Sequence, residues 1–145
     1  MQDETMTKRL INHVGIVTAD LEESLRFWRD GLGLPIQKTE HNEQEQVDIV
    51  FLAIGDSAIE LLAPTTSDSG IAKYLARKGE GNHHLCIEVD DIVAVMEHLT
   101  TQGFELINET PRARHDGTLY AFTHPKSTGG VMVELYQLPK GQKES

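Results

Sequence analysis

The chain has 145 residues, with 23 acidic against 13 basic side chains for a formal net charge of -10, and a single cysteine, Cys86. That length suits one domain that buries its core without covalent staples, and a lone cysteine forms no intramolecular disulfide, which fits a reducing cytoplasmic setting. The acidic balance argues against nonspecific binding to nucleic acid, whose affinity comes from cations meeting phosphates, but it leaves room for an anionic small molecule met by a metal or a local basic patch. No apolar run approaches the roughly 20 residues of a membrane span, and the polar start MQDETMTKRL does not read as a secretory signal.

In chain order, the first informative segment is His13-Val14-Gly15-Ile16-Val17-Thr18-Ala19-Asp20-Leu21, a strand pattern that ends in a helix N-cap. Leu21, Leu25, Phe27, Trp28 and Leu32 then form one apolar helical face, and Gly33 stands where a helix end favours a left-handed residue. Strands are expected over 34–39 and 47–54, and Gly55-Asp56 predicts a hairpin into a strand over 58–62. A linker over 65–80 carries a short helix near 71–77.

The pattern then recurs. His84-Leu85-Cys86-Ile87-Glu88-Val89-Asp90-Asp91-Ile92 repeats the first strand and its cap, and Ile92, Val95, Met96 and Leu99 repeat the helical face up to Gly103. Strands are expected over 104–108, 119–123 and 131–136, so that Val133-Glu134-Leu135-Tyr136 matches Ile59-Glu60-Leu61-Leu62. The expectation is an α+β fold of two tandem βαβββ modules, over about 10–64 and 81–138, within one domain spanning 8–139. One helix covers one face of each module's strands. The other face needs a second module or a ligand, and two modules can curl a mixed sheet around a cleft. The ends, 1–7 and 140–145, are expected to fray.

The chemistry lies in the matched positions. His13 pairs with His84, and Glu60 with Glu134, all within strands that are otherwise apolar. A carboxylate in such a strand is costly unless partnered, and a divalent cation is a sufficient partner. Two imidazoles and two carboxylates suit Zn, Ni, Co, Mn or Fe and leave positions open for water or substrate. Taken singly, a strand histidine is usually structural and a strand glutamate usually faces solvent, as Glu88 is expected to do. Repeat symmetry is what favours a metal. His83 is expected on the opposite strand face in a structural role, and Cys86 as a small buried hydrophobe.

These residues resemble the vicinal oxygen chelate (glyoxalase/bleomycin resistance/dioxygenase) superfamily and, within it, the methylmalonyl-CoA epimerase family. The resemblance covers about 11–137. Its carriers are His13-Val14-Gly15-Ile16, Ile59-Glu60-Leu61-Leu62-Ala63-Pro64, Asp68-Ser69-Gly70-Ile71-Ala72-Lys73-Tyr74-Leu75, the run Gly79 to Asp91, and His124-Pro125-Lys126-Ser127-Thr128-Gly129-Gly130-Val131-Met132-Val133-Glu134-Leu135. It implies one divalent metal ion (Zn, Co, Mn or Ni) on His13, Glu60, His84 and Glu134. Some epimerases carry Gln at the Glu60 position, so this site has one more negative charge.

The implied reaction is epimerisation of an acyl-CoA thioester, methylmalonyl-CoA, through an enediolate. The metal would act as Lewis acid, and two acid/base groups would flank the α-carbon. Glu134 is one. The other is expected near Glu43-Gln44-Glu45-Gln46-Val47, where Gln44 occupies the expected carboxylate position and Glu43 or Glu45 must serve instead, unless the run is simply a solvated loop. Lys126 and Ser127 are candidate substrate-binding residues, with a plain connecting turn as the alternative. Arg112, Arg114 and His115 can meet CoA phosphates or a carboxylate, or form a charged surface loop. The family also implies a homodimer.

Three other functions fit the same scaffold. A lactoylglutathione lyase acting on a glutathione hemithioacetal shares the ligand types but not the 124–130 loop. A ring-cleaving dioxygenase presents two His and one carboxylate to iron, and Glu60 is one carboxylate too many. A non-enzymatic small-molecule binding protein typically lacks the ligands that this chain retains.

Overall fold

The computed structural model describes residues 8–141, so the expectation that both ends fray falls mostly outside the described residues. The elements in chain order are β1 (Leu10–Val17), α1 (Leu21–Leu25), a π-helical stretch (Arg26–Gly31), β2 (Ile36–Asn42), β3 (Val47–Ile54), β4 (Ser57–Pro64), α2 (Gly70–Lys78), β5 (Gly81–Glu88), α3 (Ile92–Thr101), β6 (Arg112–Ala113), β7 (Leu119–Phe122), a 3-10 turn (Pro125–Thr128) and β8 (Val133–Gln137). This is an α+β fold built on two modules of the expected kind. No helix among the described residues is long and apolar enough to cross a membrane. The chain divides into two compact units. One is His13–His83, and the other joins the stretch ending at Asn12 to the stretch beginning at His84.

In the His13–His83 unit, β1 pairs parallel with β4, β4 antiparallel with β3, and β3 antiparallel with β2. Strand alternation sorts the side chains onto two faces. Val14, Ile16, Val50, Leu52, Ile59 and Leu61 turn to one face and pack with Leu25, Leu21 and Trp28. Residues of opposite parity, His13, Glu60 and Phe51 among them, turn to the other face. The β3–β4 hairpin closes through Gly55 at φ 57°, a left-handed value that glycine adopts at no steric cost.

The second unit repeats the plan. β5 pairs parallel with β8, β8 antiparallel with β7, and β7 antiparallel with β6. Its core joins Val89, Ile92, Val95, Met96, Ala121 and Leu135, with Ile87, Leu99, Leu106, Leu119 and Val133 against them. Both helix starts follow the sequence reading. Asp20 accepts from the Glu23 N–H at 3.2 Å, and Asp91 from the Ala94 N–H at 3.1 Å.

Four expectations need correction. The first helix passes after Leu25 into a π-helical stretch in which the Leu32 N–H reaches back to the Phe27 carbonyl at 2.8 Å. The rotation of side chains at that wider turn leaves Phe27 57% exposed rather than in the core, while Trp28 still packs inward. The first module's second strand is Ile36–Asn42, later than the expected 34–39, and it starts just after Pro35. The strand expected over 104–108 is only a bridge between Leu106 and Thr123. Side chains interrupt its ladder: Asn108 Oδ1 takes the Phe122 N–H at 2.7 Å, and the Ser127 hydroxyl bonds both the N–H and the carbonyl of Glu105. Finally, Glu88 is 4% exposed rather than solvent-facing, held by the Lys8 ammonium at 2.6 Å and the Asn12 amide at 2.9 Å.

Glu80 ties the end of the linker to the start of the first helix. Its Oε2 accepts from the Ala19 N–H at 2.9 Å and from the Thr18 hydroxyl at 3.0 Å. The Ala19 bond, and then that from Thr18, hold its carboxyl below the usual 4.5. A depressed folded-state value stabilises above the unfolded value, and the gain is lost as pH falls through the folded one. The stability difference between wild type and Glu80→Gln should therefore be present at neutral pH and shrink progressively below about pH 4.5, as read by urea unfolding across pH. In the same assay at pH 7, Asp91→Ala should cost about 0.5–2 kcal/mol through loss of the cap.

Candidate metal centre

Each unit buries one imidazole against one carboxylate. In the His13–His83 unit, His13 Nε2 lies 3.1 Å from Glu60 Oε2. In the other, His84 Nε2 lies 3.5 Å from Glu134 Oε1. The four residues are 3%, 8%, 6% and 1% exposed in the order His13, Glu60, His84, Glu134. They reach this environment because of strand parity. Ile59 and Leu61 belong to the helix-facing core, so Glu60 between them points away from it. Leu135 is in the other core, so Glu134 beside it also points away.

The two modules share a further feature that single-strand reading missed. Phe51 stands opposite Glu60 in the β3–β4 ladder, and Phe122 stands opposite Glu134 in the β7–β8 ladder. Directly opposed residues share a face, so each carboxylate has an aromatic neighbour on its own side. The Phe122 ring also lies edge-on to the His84 ring, with centroids 6.2 Å apart. The matching of one Phe per half-repeat was visible in the sequence only once the strand registers were known.

A buried carboxylate without strong compensation costs several kcal/mol even after relaxation. The chain carries a buried set of His, Glu and Cys donors of the kind that holds a divalent cation. Borderline imidazole and hard carboxylate donors fit Zn, Co, Mn or Ni. Cys86, fully buried, stands opposite Glu134 in the β5–β8 register and shares the strand face of His84. Its place among the donors was not anticipated, since a lone cysteine in an apolar strand carries no distinguishing signal.

The remaining candidates fall elsewhere. Glu43, Gln44 and Glu45 occupy the exposed turn between β2 and β3. There the Glu45 N–H is bound to Asn42 Oδ1, and the Gln46 amide to the Glu43 carbonyl. The register pairs Val47 with Pro64 and Phe51 with Glu60. The turn therefore lies at least four residues, roughly 13 Å, along the strands from the level of Glu60. The structure does not bring Glu43 or Glu45 to that carboxylate. The β3 residues on the Glu60 face, Ile49, Phe51 and Ala53, carry no titratable group. The titratable side chains on the adjacent β2 face are Lys38, whose ammonium lies 4.6 Å from the Phe51 ring centre, and Glu40, ion-paired to Lys38 at 3.1 Å.

Lys126 and Ser127 both engage Glu105. The Lys126 ammonium pairs with its carboxylate at 2.7 Å, and Ser127 bonds its main chain. The Lys126 pairing holds the Glu105 carboxyl below the usual value. Gly129, at φ 75°, ends this 3-10 turn. His83 packs edge-on to Tyr74, with centroids 4.6 Å apart, as a structural residue would. In the hairpin after α3, the Arg114 guanidinium reaches Glu134 Oε2 at 3.5 Å.

Comparison with known proteins agrees with this chemistry. The model of the Glyoxalase/Bleomycin resistance protein/Dioxygenase superfamily matches residues 12–122. Mitochondrial methylmalonyl-CoA epimerase of Mus musculus is 38% identical over 128 residues, spanning 88% of this chain and 72% of that protein. A methylmalonyl-CoA epimerase variant of Streptomyces coelicolor in complex with 2-nitronate-propionyl-CoA aligns with a TM-score of 0.81 at 33% identity, covering 92% of this chain and 97% of that one. A probable lactoylglutathione lyase of Vibrio cholerae is 28% identical over 132 residues, spanning 91% of this chain and 93% of that protein.

Metal binding should register directly in stability. A cation at about 100 times its dissociation constant adds about 2.7 kcal/mol if it binds only the folded chain. Addition of Co, Zn, Mn or Ni to chelator-treated protein should raise Tm by several degrees, and EDTA should reverse the shift. His13→Ala and Glu134→Ala should each abolish most of that increment, as followed by differential scanning fluorimetry.

Proposed function

Because the chain belongs to the Glyoxalase/Bleomycin resistance protein/Dioxygenase superfamily, we propose that it is a metal-dependent isomerase that epimerises methylmalonyl-CoA at its α-carbon. The observation that carries this reading is the pair of buried His–Glu couples at matching positions of two repeated modules. It is supported by the higher identity to methylmalonyl-CoA epimerases than to lactoylglutathione lyases.

His13, Glu60, His84 and Glu134 would hold one divalent cation. Bound there, the cation supplies Lewis-acid stabilisation of the negative charge that develops on substrate oxygens when the α-proton leaves. The chain's own residues do the rest. Glu134, 1% exposed between apolar neighbours, is the carboxylate that takes the α-proton. Exclusion of water from its surroundings strengthens each electrostatic contact it makes. His84, facing Glu134 Oε1, orients that carboxylate and leaves Oε2 toward Arg114. Phe122 and Phe51 line the carboxylate faces with apolar surface, which favours an acyl group over bulk water.

Inversion requires a proton to return on the opposite face of the α-carbon. Glu43 or Glu45, on the turn that joins β2 to β3, is the candidate for that second role. Lys38 stands at the level of Glu60, opposite Phe51, and is the nearer titratable side chain by register. The acyl-CoA thioester is the small-molecule partner in this reading, and a homodimer in the cytoplasm is the assembly and setting that go with it. Size-exclusion chromatography with light scattering checks the former.

The reaction is tested by incubating the metal-loaded protein with (2S)-methylmalonyl-CoA in deuterated water and following the α-position by NMR. Deuterium incorporation with change of configuration is expected, reduced by 100-fold or more in Glu134→Gln and restored to wild type by none of the added metals. Glu43→Gln and Glu45→Gln should be compared in the same assay, and the variant that removes the second acid/base group should slow inversion by about tenfold or more. Turnover of a glutathione hemithioacetal in place of the CoA thioester would transfer the site to lyase chemistry.

A further inference from the structure

We propose that Arg114 is a specificity-determining residue that receives the free carboxylate of a malonyl-type acyl thioester, an assignment that rests on the function proposed above. Its backbone is pinned in the β6–β7 hairpin. The Arg114 N–H donates to the Thr118 carbonyl at 2.8 Å, and the Gly117 N–H donates to the Arg114 carbonyl at 3.0 Å. Gly117 holds φ 93°, and Asp116 Oδ1 accepts from the Thr118 N–H at 2.9 Å, so the turn that aims this side chain is closed on both sides.

The side chain crosses two aromatic rings. Tyr120 and Tyr136 are register partners in the β7–β8 ladder, and the guanidinium carbon lies 4.6 Å and 5.6 Å from their ring centres. Stacked in this way, a guanidinium keeps its plane and presents its N–H fork at a fixed orientation. Its tip reaches Glu134 Oε2 at 3.5 Å. That separation exceeds the about 2.7–2.9 Å of a tight charge-assisted bond. The contact holds Arg114 near the carboxylate.

Exposure decides which end a ligand meets. The Arg114 side chain is 40% exposed, whereas that of Glu134 is 2% exposed. An anion arriving from solvent therefore meets the guanidinium before it meets the buried carboxylate. On a chain of net charge -10, an exposed guanidinium at this point is a local cationic group, and it favours anionic substituents. When Glu134 is engaged by a cation, its pull on Arg114 weakens, and a carboxylate from the ligand becomes the better partner. A planar fork matches a carboxylate in a bidentate manner that an ammonium does not.

The test compares metal-loaded wild type, Arg114→Gln and Arg114→Lys by calorimetric binding of malonyl-CoA and of propionyl-CoA, which differ in the carboxylate. Wild type should prefer malonyl-CoA. In Arg114→Gln the Kd for malonyl-CoA should rise about tenfold or more, with propionyl-CoA changed by less than about twofold. Arg114→Lys should keep part of the preference. Metal affinity, measured by chelator competition, should not fall in Arg114→Gln, because a neighbouring positive charge is removed. In the deuterium-exchange assay KM should rise more than kcat falls. Retention of the malonyl preference in Arg114→Gln, its absence in wild type, or equal weakening of both thioesters together with the metal would overturn the assignment. If wild type shows no exchange while Arg114→Gln still loses the carboxylate preference, the epimerase reading fails and the Arg114 assignment stands.

Discussion

Burial of Glu60 and Glu134 inside strands whose neighbours belong to hydrophobic cores is the constraint on which the rest of this structure depends. Each carboxylate sits between residues that pack beneath a helix, so strand alternation alone turns it to the opposite face. Once there, it needs a partner. The local one is an imidazole, at 3.1 Å for Glu60 and 3.5 Å for Glu134. Imidazole and carboxylate side by side, both buried, are donors of the kind that a divalent cation joins. The helical side of each module, by contrast, is an ordinary apolar core that can be stable without help. This division lets the donor face be costly while the fold survives.

The two couples are equivalent by repeat but differ in surroundings. Around Glu60 the β3 face carries Ile49, Phe51 and Ala53, with the Lys38–Glu40 pair on the next strand. Around Glu134 the β7–β8 face carries Phe122, Tyr120 and Tyr136, and Arg114 crosses the tyrosines to reach the carboxylate. Glu134 thus has cationic company that draws on its charge, and it is the more deeply buried of the two acids. The two modules are thus asymmetric, with Glu60 facing Phe51 and flanked by the Lys38–Glu40 pair on the next strand, and Glu134 joined to a guanidinium that also faces solvent. Such asymmetry suits a reaction in which only one of two repeated acids handles a proton.

Departures from the expected fold cluster where side chains compete with the backbone for hydrogen bonds. Ser127 and Asn108 take positions that ladder partners would occupy, and the strand expected over 104–108 shrinks to one bridge. The same bonds anchor the loop that holds Lys126, which is itself paired with Glu105. Glu88 shows the opposite failure. It lies on the face of His84 and Cys86, and its burial depends on Lys8 and Asn12, about 76–80 residues earlier in the chain. Neither long-range partner carries any local signal.

By itself the sequence determined the repeated βαβββ order, the aspartate caps at Asp20 and Asp91, and the four candidate donors His13, Glu60, His84 and Glu134. Those features are written in periodicity, in caps a few residues from what they bind, and in the improbability of matched His and Glu at equivalent positions. Only the tertiary structure decided that Glu43 lies in the exposed turn between β2 and β3, that a phenylalanine faces each buried glutamate, and that Arg114 belongs with Glu134 rather than with solvent alone. Each of these is set by cross-strand register and turn geometry, in which one residue of slip exchanges the two faces of a strand, and no local pattern of residues reports that slip.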